Sequence, residues 1–482
     1  MVALTAIHDW VDAPGSVVSW GPSPACLAKV AQAPVSAVPP SYQQEQHIRT
    51  YRAHSANGLE MARLLIPSWN IPGRCDIRAM TYVINSYLRR HDTYHSWFEF
   101  AAEADGSDRV VRHTVANPAE IQFVATRHGE MNASQWRAHI LGTPSPLQWD
   151  CFRFGVIQRA DHFTFYASID HVHADAMFMV GLFVEIYMNY AALVEGGAPI
   201  KLPEPGRYLD YCTRQREYTS TLTLESPEVV EWLQYLQSNG GTLPKFPLPL
   251  GDPDTPCTGD LITVKLMDAH DSDRFEAVCA SAGVRFIGGV FACAALAERE
   301  LTGVDTYRVI TPTTTRATPA EFATTGWFTG IVPISVPVEG MTFKQVARAA
   351  QASFDSGMHL ANVPIERILE LAESVPGIRK PGPGVPMLSY LDIGLPPLNP
   401  VVMGQWQAQN GTLYTDLGAA NQIGMWVNRR DTGTTITVAY PDNAAARESV
   451  AQYVDLMKMF FLRAAEGRAD SVSSPRIPRV TV

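Results

Sequence analysis

Two kinds of hydrophobic spacing alternate along the chain, and together they predict a mixture of helices and strands. Apolar residues recur every three or four positions in residues 75–91 and 444–465, which is typical of amphipathic helices. Short apolar runs at 151–158 and 163–169, separated by four polar residues, predict two strands of a hairpin. Since strands come as hairpins among helices, the pattern favours an α+β fold over a strict βαβ array.

The second half of the chain continues this mixture. Residues 286–301 read as an apolar helix, 307–311 and 331–338 as buried strands, and 425–429 with 435–440 as a hairpin. Thr342 and Gln345 have the spacing of a capping box, which predicts a helix start there. The Pro- and Gly-rich stretch 196–206 is typical of a linker. We therefore predict two domains, residues 1–215 and 216–482, with the boundary near residue 215.

Composition and charge narrow the class of protein. The net charge of -10 and pI near 5.7 argue against nucleic-acid binding, which uses clustered Lys and Arg. The apolar run 177–194 contains Glu185 and Asn189 and lacks basic flanks, so a buried helix is favoured over a membrane span. Residues 1–15 have no positive leader or apolar core, and the seven cysteines form no CxxC pair. We expect a cytoplasmic protein with reduced thiols and no metal.

The candidate chemistry lies at His171 and Asp175, an HxxxD spacing between a predicted strand and an apolar helix. An imidazole has an ordinary pKa near 6.5, so His171 can take a proton from an alcohol at neutral pH. The Asp175 carboxylate could accept a hydrogen bond from the ring, or point away and fix the loop through an arginine. Two fixed residues alone are a weak signal, because such a pattern arises by chance.

The segment around this motif resembles the active site of a known superfamily. Residues 168–176, Ser-Ile-Asp-His-Val-His-Ala-Asp-Ala, resemble the motif of the condensation domains and chloramphenicol acetyltransferase. Further segments at 38–44, 88–95, 148–152, 288–293, 325–330 and 425–429 resemble the mycobacterial polyketide-associated acyltransferases that acylate trehalose or sulfated trehalose. Because these segments span almost the whole chain, chance is a poor explanation.

The resemblance implies a fold and a mechanism. It implies two chloramphenicol acetyltransferase-like domains arranged in a V, with a solvent tunnel at their interface. His171 would deprotonate a sugar hydroxyl that attacks the thioester carbonyl directly, without an acyl-enzyme. Asp175 would be structural and pair with Arg316, a bond that can be bidentate, while Trp327 and Phe328 would line the cleft. No cofactor is implied, since acyl-CoA or an acyl-carrier thioester is a co-substrate.

Two departures from the larger superfamily concern this same segment. Larger members have a second histidine before the catalytic one and a glycine after the aspartate, where this chain has Asp170 and Ala176. The mycobacterial group tolerates the first loss, whereas Ala176 leaves the donor geometry open. A sulfated acceptor should need a cationic contact, and the candidates are Arg89, Arg90, Arg316 and Arg429.

Other interpretations remain open at this point. His171, His173 and Asp175 also fit HxHxD, the first part of a metallohydrolase motif, although that interpretation needs further metal ligands downstream. A peptide-synthetase-like condensation enzyme or a non-catalytic scaffold that binds acyl carriers would have the same fold. The donor could be acyl-CoA or a chain on a polyketide synthase. We expect a monomer at the inner face of the plasma membrane, with transient membrane or transporter association.

Overall fold

The structure is a computed structural model that describes residues 4–104, 106–392 and 400–468. Strands and helices alternate throughout these ranges. The strands are β1 Leu4–Ala6, β2 Gly15–Pro22, β3 Leu64–Pro72, β4 Ser96–Ala102, β5 Asp108–Thr114, β6 Phe123–Met131, β7 Phe152–Gln158, β8 His162–Asp170, β9 Gly259–Asp268, β10 Thr306–Thr314, β11 Thr329–Pro337, β12 Pro386–Asp392, β13 Thr412–Thr415, β14 Ile423–Arg430 and β15 Gly433–Pro441.

The helices carry the amphipathic patterns of the sequence. They are α1 Pro24–Val30, α2 Tyr42–Ala56, α3 Ile77–Arg90, α4 Ala133–Leu141, α5 Phe178–Phe183, α6 Asn189–Val194, α7 Tyr208–Ser220, α8 Pro227–Ser238, α9 Ala269–Ser281, α10 Phe286–Thr302, α11 Pro319–Phe322, α12 Phe343–Gly357, α13 Ile365–Leu371, α14 Pro400–Ala408 and α15 Ala444–Ala465. Short 3-10 turns occupy Ile7–Asp9, Asp92–His95, Pro118–Glu120, His171–His173, Met358–Asn362 and Ala372–Ser374, and a π-helical turn occupies Val184–Met188.

The first half of the chain is built on a seven-stranded sheet. Its strand order is β1-β13-β3-β8-β7-β2-β6, antiparallel except for the β1–β13 pair. Every residue of β8 after His162 is buried, because this strand lies in the interior of the sheet and packs into the hydrophobic core on its helix side. The strand that ends at the HxxxD motif is therefore held on all sides.

The second half is built on a six-stranded sheet, in the order β11-β10-β12-β14-β15-β9. Helices α9, α10, α12 and α15 pack together with it in a separate core, in which 11 of the 17 residues of α10 are buried. The two sheet-based domains confirm the α+β class that the hydrophobic pattern predicts. The V-shaped arrangement and the tunnel stay predictions.

One strand links the two halves. β13 comes from the second half of the sequence, yet it pairs with β1 and β3 in the first sheet. Residues 195–207, which include the predicted linker, contain no helix or strand. The domain boundary near residue 215 stays a prediction, and the β13 pairing means that each half includes chain from the other.

The apolar run 177–194 is helical but not regular. The π-helical turn Val184–Met188 separates α5 from α6. In the described part of the chain no single helix is long and apolar enough to span a membrane; only α9 and α10 taken together, which meet at 96°, have the length and composition.

Candidate active site

The HxxxD segment begins where β8 ends. Asp170 is the last residue of β8, and His171–His173 form a 3-10 turn that Asp170 caps by accepting a hydrogen bond from the Val172 N–H at 3.0 Å. The His171 N–H donates to the carbonyl of Arg63, the residue before β3, at 2.8 Å. The backbone that carries His171 is thus fixed before its side chain makes any contact.

The His171 ring is partly exposed and lies beside two other rings. Its centroid is 4.1 Å from that of Trp327 and 6.3 Å from that of His47. Nδ1 is enclosed and bonds to no neighbouring residue that the structure describes, so Nε2 is the nitrogen left to exchange a proton with a substrate. Burial, and then the charge of His47, lower the pKa of His171 to about 4. The ring is therefore neutral and able to accept a proton near pH 7.

Asp175 points away from His171 and pairs with Arg316. The pair is bidentate, with Nη1 to Oδ2 at 2.6 Å and Nη2 to Oδ1 at 3.1 Å, and both side chains are at most 5% exposed. The carboxylate also accepts from the N–H groups of Phe328 at 2.9 Å and Met177 at 3.1 Å. This network joins the segment after His171 to the loop between β10 and β11.

Trp327 and Phe328, which follow each other in that loop, have different surroundings. The Trp327 indole contacts His171 and meets the His47 ring edge-on at 5.4 Å between centroids. Phe328 is fully buried against Tyr208 and Tyr211, with the Arg316 guanidinium 4.4 Å above its ring. Phe328 therefore supports Arg316 by packing, and its side chain has no surface left for a substrate.

A second charged network lies on the other side of His171, and the sequence reasoning missed it. Asp170, fully buried, accepts from His47 Nε2 at 2.7 Å and from Arg63 Nη1 at 2.8 Å. Burial opposes ionisation of this carboxyl, but the charges and hydrogen bonds of His47 and Arg63 outweigh it and lower the pKa of Asp170. In the sequence, Asp170 itself could have indicated this network, because a carboxylate at the end of a buried strand requires a cationic or hydrogen-bond-donating partner.

Arg63 is in turn held by the strand that crosses between the halves. Its guanidinium donates to the Thr143 carbonyl at 2.6 Å and the Pro144 carbonyl at 2.9 Å. Asp416, the residue after β13, accepts from the N–H groups of Arg63 at 2.9 Å and Leu64 at 2.8 Å. Burial raises the pKa of Asp416 to about 6. Residues of both halves therefore determine where Arg63 and Asp170 lie.

The four arginines predicted as sulfate contacts are largely engaged with the protein. Arg316 binds Asp175, Arg429 binds Glu276, and Arg90 pairs with Glu185 at 3.3 Å. Arg89 is exposed and donates through Nε to the Ile121 carbonyl at 2.9 Å. Three of the four guanidinium charges are thus already balanced by carboxylates.

The three residues of the HxHxD pattern are not arranged as ligands of one metal ion. His173 lies between the rings of Tyr94 and Phe152, with Nδ1 3.2 Å from Thr93 Oγ1, and burial lowers its pKa to about 4. Asp175 is committed to Arg316. Across residues 4–104, 106–392 and 400–468 no three His, Cys, Asp or Glu side chains are placed to hold a metal ion.

Comparison with known proteins gives consistent results. The sequence model of the family described as "Condensation domain" matches residues 66–375. The chain is 54% identical over 467 residues to "Trehalose-2-sulfate acyltransferase PapA2" of Mycobacterium tuberculosis (strain H37Rv), covering 97% of this chain and 98% of the relative. It is 51% identical over 467 residues to "2'-acyl-2-O-sulfo-trehalose (hydroxy)phthioceranyltransferase PapA1" of M. tuberculosis (strain CDC 1551), covering 97% of this chain and 89% of the relative.

Solved structures agree with these matches. A structure described as "PapA2 acyl transferase" superposes with a TM-score of 0.91 at 52% identity, covering 96% of this chain and 100% of the other. The condensation domain of the Monacolin K polyketide synthase MokA matches with a TM-score of 0.64 at 17% identity, over 89% of this chain and 99% of that one. The second match supports the fold alone.

Proposed function

The chain belongs to the condensation-domain family of acyltransferases, and from that premise we propose that it transfers a long-chain fatty or polyketide acyl group from a thioester to a hydroxyl of trehalose or sulfated trehalose. The observation that carries the proposal is 54% identity to a trehalose-2-sulfate acyltransferase over 97% of this chain. The neutral, partly exposed imidazole of His171 supports it independently, because acyl transfer to an alcohol requires a base. The products would be cell-envelope glycolipids.

The reaction follows from the position of His171. Nε2 takes the proton of the sugar hydroxyl as its oxygen attacks the thioester carbonyl carbon. The tetrahedral intermediate collapses, the carbon–sulfur bond breaks, and the thiolate leaves with the proton returned by His171. An imidazole whose conjugate acid is disfavoured by burial returns that proton readily, and no acyl-enzyme is needed.

Asp175 and Arg316 do not contact the reacting atoms in this mechanism. Their ion pair holds the segment after His171 against the β10–β11 loop, from which Trp327 contacts the imidazole ring. A general base works only when it lies within hydrogen-bonding reach of the proton it removes. The pair therefore supports catalysis by positioning, and Trp327 is the residue of the loop that can contact the substrate.

The remaining partners follow from the same chemistry. The donor is an acyl-CoA or a chain carried by a polyketide synthase, and no cofactor is consumed, because the thioester is already activated. The protein acts as a monomer in the cytoplasm, at the inner face of the plasma membrane where its lipid product is needed. Any membrane or transporter association would be transient.

The test is direct. Purified protein is incubated with palmitoyl-CoA and either trehalose or trehalose 2-sulfate, with sugar esters detected by mass spectrometry and free CoA measured in parallel. We expect a monoester, and we expect His171→Ala to abolish it while His54→Ala, two helical turns from His47 on α2, retains it. A scaffold would give no ester even with the unmodified protein. A peptide-synthetase-like enzyme, which acylates amines, would likewise make no sugar ester. Either result would contradict the proposal.

A further inference from the structure

His47 projects from α2 onto the loop that carries His171. α2 starts at a capping box in which Ser41 and Gln44 bond to each other's backbone N–H groups. Gln44, one turn before His47, donates to the Val172 carbonyl at 2.8 Å, and His47 itself binds Asp170. The N-terminal half of α2 is thus docked on residues 170–172 by two side chains of the same helical face.

The hydrogen bond to Asp170 determines which nitrogen of His47 is free. Asp170 is ionised, since its pKa is lowered, so it accepts from His47 and Nε2 must carry the proton. Nδ1 is then the second polar atom of the ring: no described residue bonds to it and, unlike Nδ1 of His171, it is not enclosed, so the small exposed part of this side chain, 4%, includes this atom. An accessible imidazole nitrogen without a protein partner is free to bond to a molecule that enters the space beside it.

The surroundings indicate what that partner is. His47, Trp327 and His171 form a row of rings, with 6.3 Å between the two imidazole centroids and the indole against both. A molecule that presents one hydroxyl to His171 and fills the space beside Trp327 would bring a second group to His47. A hydroxyl fits Nδ1 whether the ring is neutral or protonated, because a hydroxyl both accepts and donates.

We propose that His47 is an acceptor-binding residue, whose Nδ1 hydrogen-bonds a second hydroxyl of the sugar while Asp170 and Arg63 hold the ring in place. The inference rests on the proposed function, because it requires a polyhydroxylated acceptor. It assigns His47 to the choice and orientation of the sugar, and it leaves proton abstraction to His171.

A purely structural His47 would behave differently. If His47 served only as a hydrogen-bond partner of Asp170, its loss would disturb the loop that carries His171 and lower kcat for every substrate. If it binds the sugar, its loss mainly raises the KM for the acceptor, since removing a contact made equally in the ground and transition states raises KM and leaves kcat unchanged.

The experiment compares His47→Asn with His54→Asn, a matched change on the same helix. His54 donates through Nδ1 to the Thr50 carbonyl and has no contact with the HxxxD loop. We expect His47→Asn to raise the acceptor KM about three- to tenfold, the range of one net hydrogen bond, with the donor KM within twofold of wild type. We expect His54→Asn to change neither constant.

Monodeoxy trehaloses then identify the contacted hydroxyl. One analogue should raise the KM of the wild-type enzyme, and the same analogue should show no further increase with His47→Asn. Equal losses for all analogues, or a fall in kcat with an unchanged acceptor KM, would overturn the assignment. If wild type makes no ester at all, the proposed function fails first, and the two failures are thereby distinguished.

A measurement on the wild-type chain covers the case in which His47→Asn does not fold. Diethylpyrocarbonate modifies accessible imidazoles, and peptide mass spectrometry reports His47 and His171 separately. We expect trehalose to slow modification of His47, and palmitoyl-CoA alone to have no such effect. Modification of His47 at the same rate with and without the sugar would contradict the proposal.

Discussion

Replacing Arg316 with methionine tests the role of the buried ion pair. Methionine keeps most of the side-chain volume above Phe328, but it leaves the Asp175 carboxylate without its cation. Breaking a buried pair by removing one partner costs about 3 to 5 kcal/mol. Because Asp175 keeps the N–H groups of Phe328 and Met177, we expect a loss at the lower end, about 3 kcal/mol.

The same change should slow the reaction. The loop that carries His171 loses the strongest of its connections to the β10–β11 loop, and a displacement of about 1 Å at a reacting group can cost roughly a hundredfold in rate. Urea unfolding monitored by tryptophan fluorescence gives the stability change, and CoA release gives the rate.

Two further variants make the result specific. Arg109→Met removes an arginine whose ion pair with Glu103 is 63% exposed on the arginine side and 42% on the glutamate side, so it should leave the urea midpoint nearly unchanged. The double variant Asp175→Asn/Arg316→Met leaves no unpaired charge, and its loss should fall short of the sum of the single losses by up to about 3 kcal/mol. If Arg316→Met matched Arg109→Met in urea midpoint and in rate, the ion pair would not position His171.

Four other predictions follow from the site. His171→Ala should lower kcat/KM by about a hundredfold to ten-thousandfold in the CoA-release assay without lowering the melting temperature, since its Nδ1 is enclosed without a partner. Since the pKa of His171 is lowered to about 4, kcat/KM should stay constant as pH falls from 7 to about 5 and decline only through about 4; an inflection near 6.5 would refute this. The pKa of His173 in the folded protein is lowered to about 4, so this residue contributes stability that is lost as pH falls from about 6.5 to 4; across that window the urea midpoint of the unmodified protein should drop relative to that of His173→Phe. Chelation by EDTA should leave activity intact, because Asp175 is occupied by Arg316; a loss that zinc restores would favour the metallohydrolase interpretation.

Patterns confined to one element could be predicted well. The helix 444–465 has the bounds that its spacing indicates, the capping box forms at Thr342 and Gln345, and the hairpins around 159–162 and 431–432 are present. These features depend on neighbours within a few residues, so the hydrophobic period and the turn residues determine them. The π-helical turn inside 177–194 could not be predicted in this way. Glu185 in that turn bonds to Arg90, the last residue of α3, and to His91, which are both distant in sequence.

In the candidate site too, residues of a local motif could be predicted and residues that depend on distant contacts could not. His171 and Asp175 could be located from a local motif, and Arg316 only through the resemblance, since it lies 141 residues from its partner. His47 and Arg63 were missed because hydrogen bonding to Asp170 across 123 and 107 residues leaves no periodic signal. The resemblance placed both Trp327 and Phe328 in the cleft, yet Phe328 is fully buried against Tyr208 and Tyr211, contacts that come from a distant helix and leave no local signal.

His171 stands between two carboxylates, and the second half of the chain holds both. After it, Asp175 binds Arg316 of the β10–β11 loop. Before it, Asp170 binds Arg63, whose backbone N–H donates to Asp416 at the end of the crossing strand β13. Each anchor is electrostatic and buried, so neither can be lost without leaving an unpaired charge in the interior. The residues of the HxxxD motif therefore lie in the first half, whereas the position of its imidazole depends on the second, and neither half alone contains a complete reaction centre.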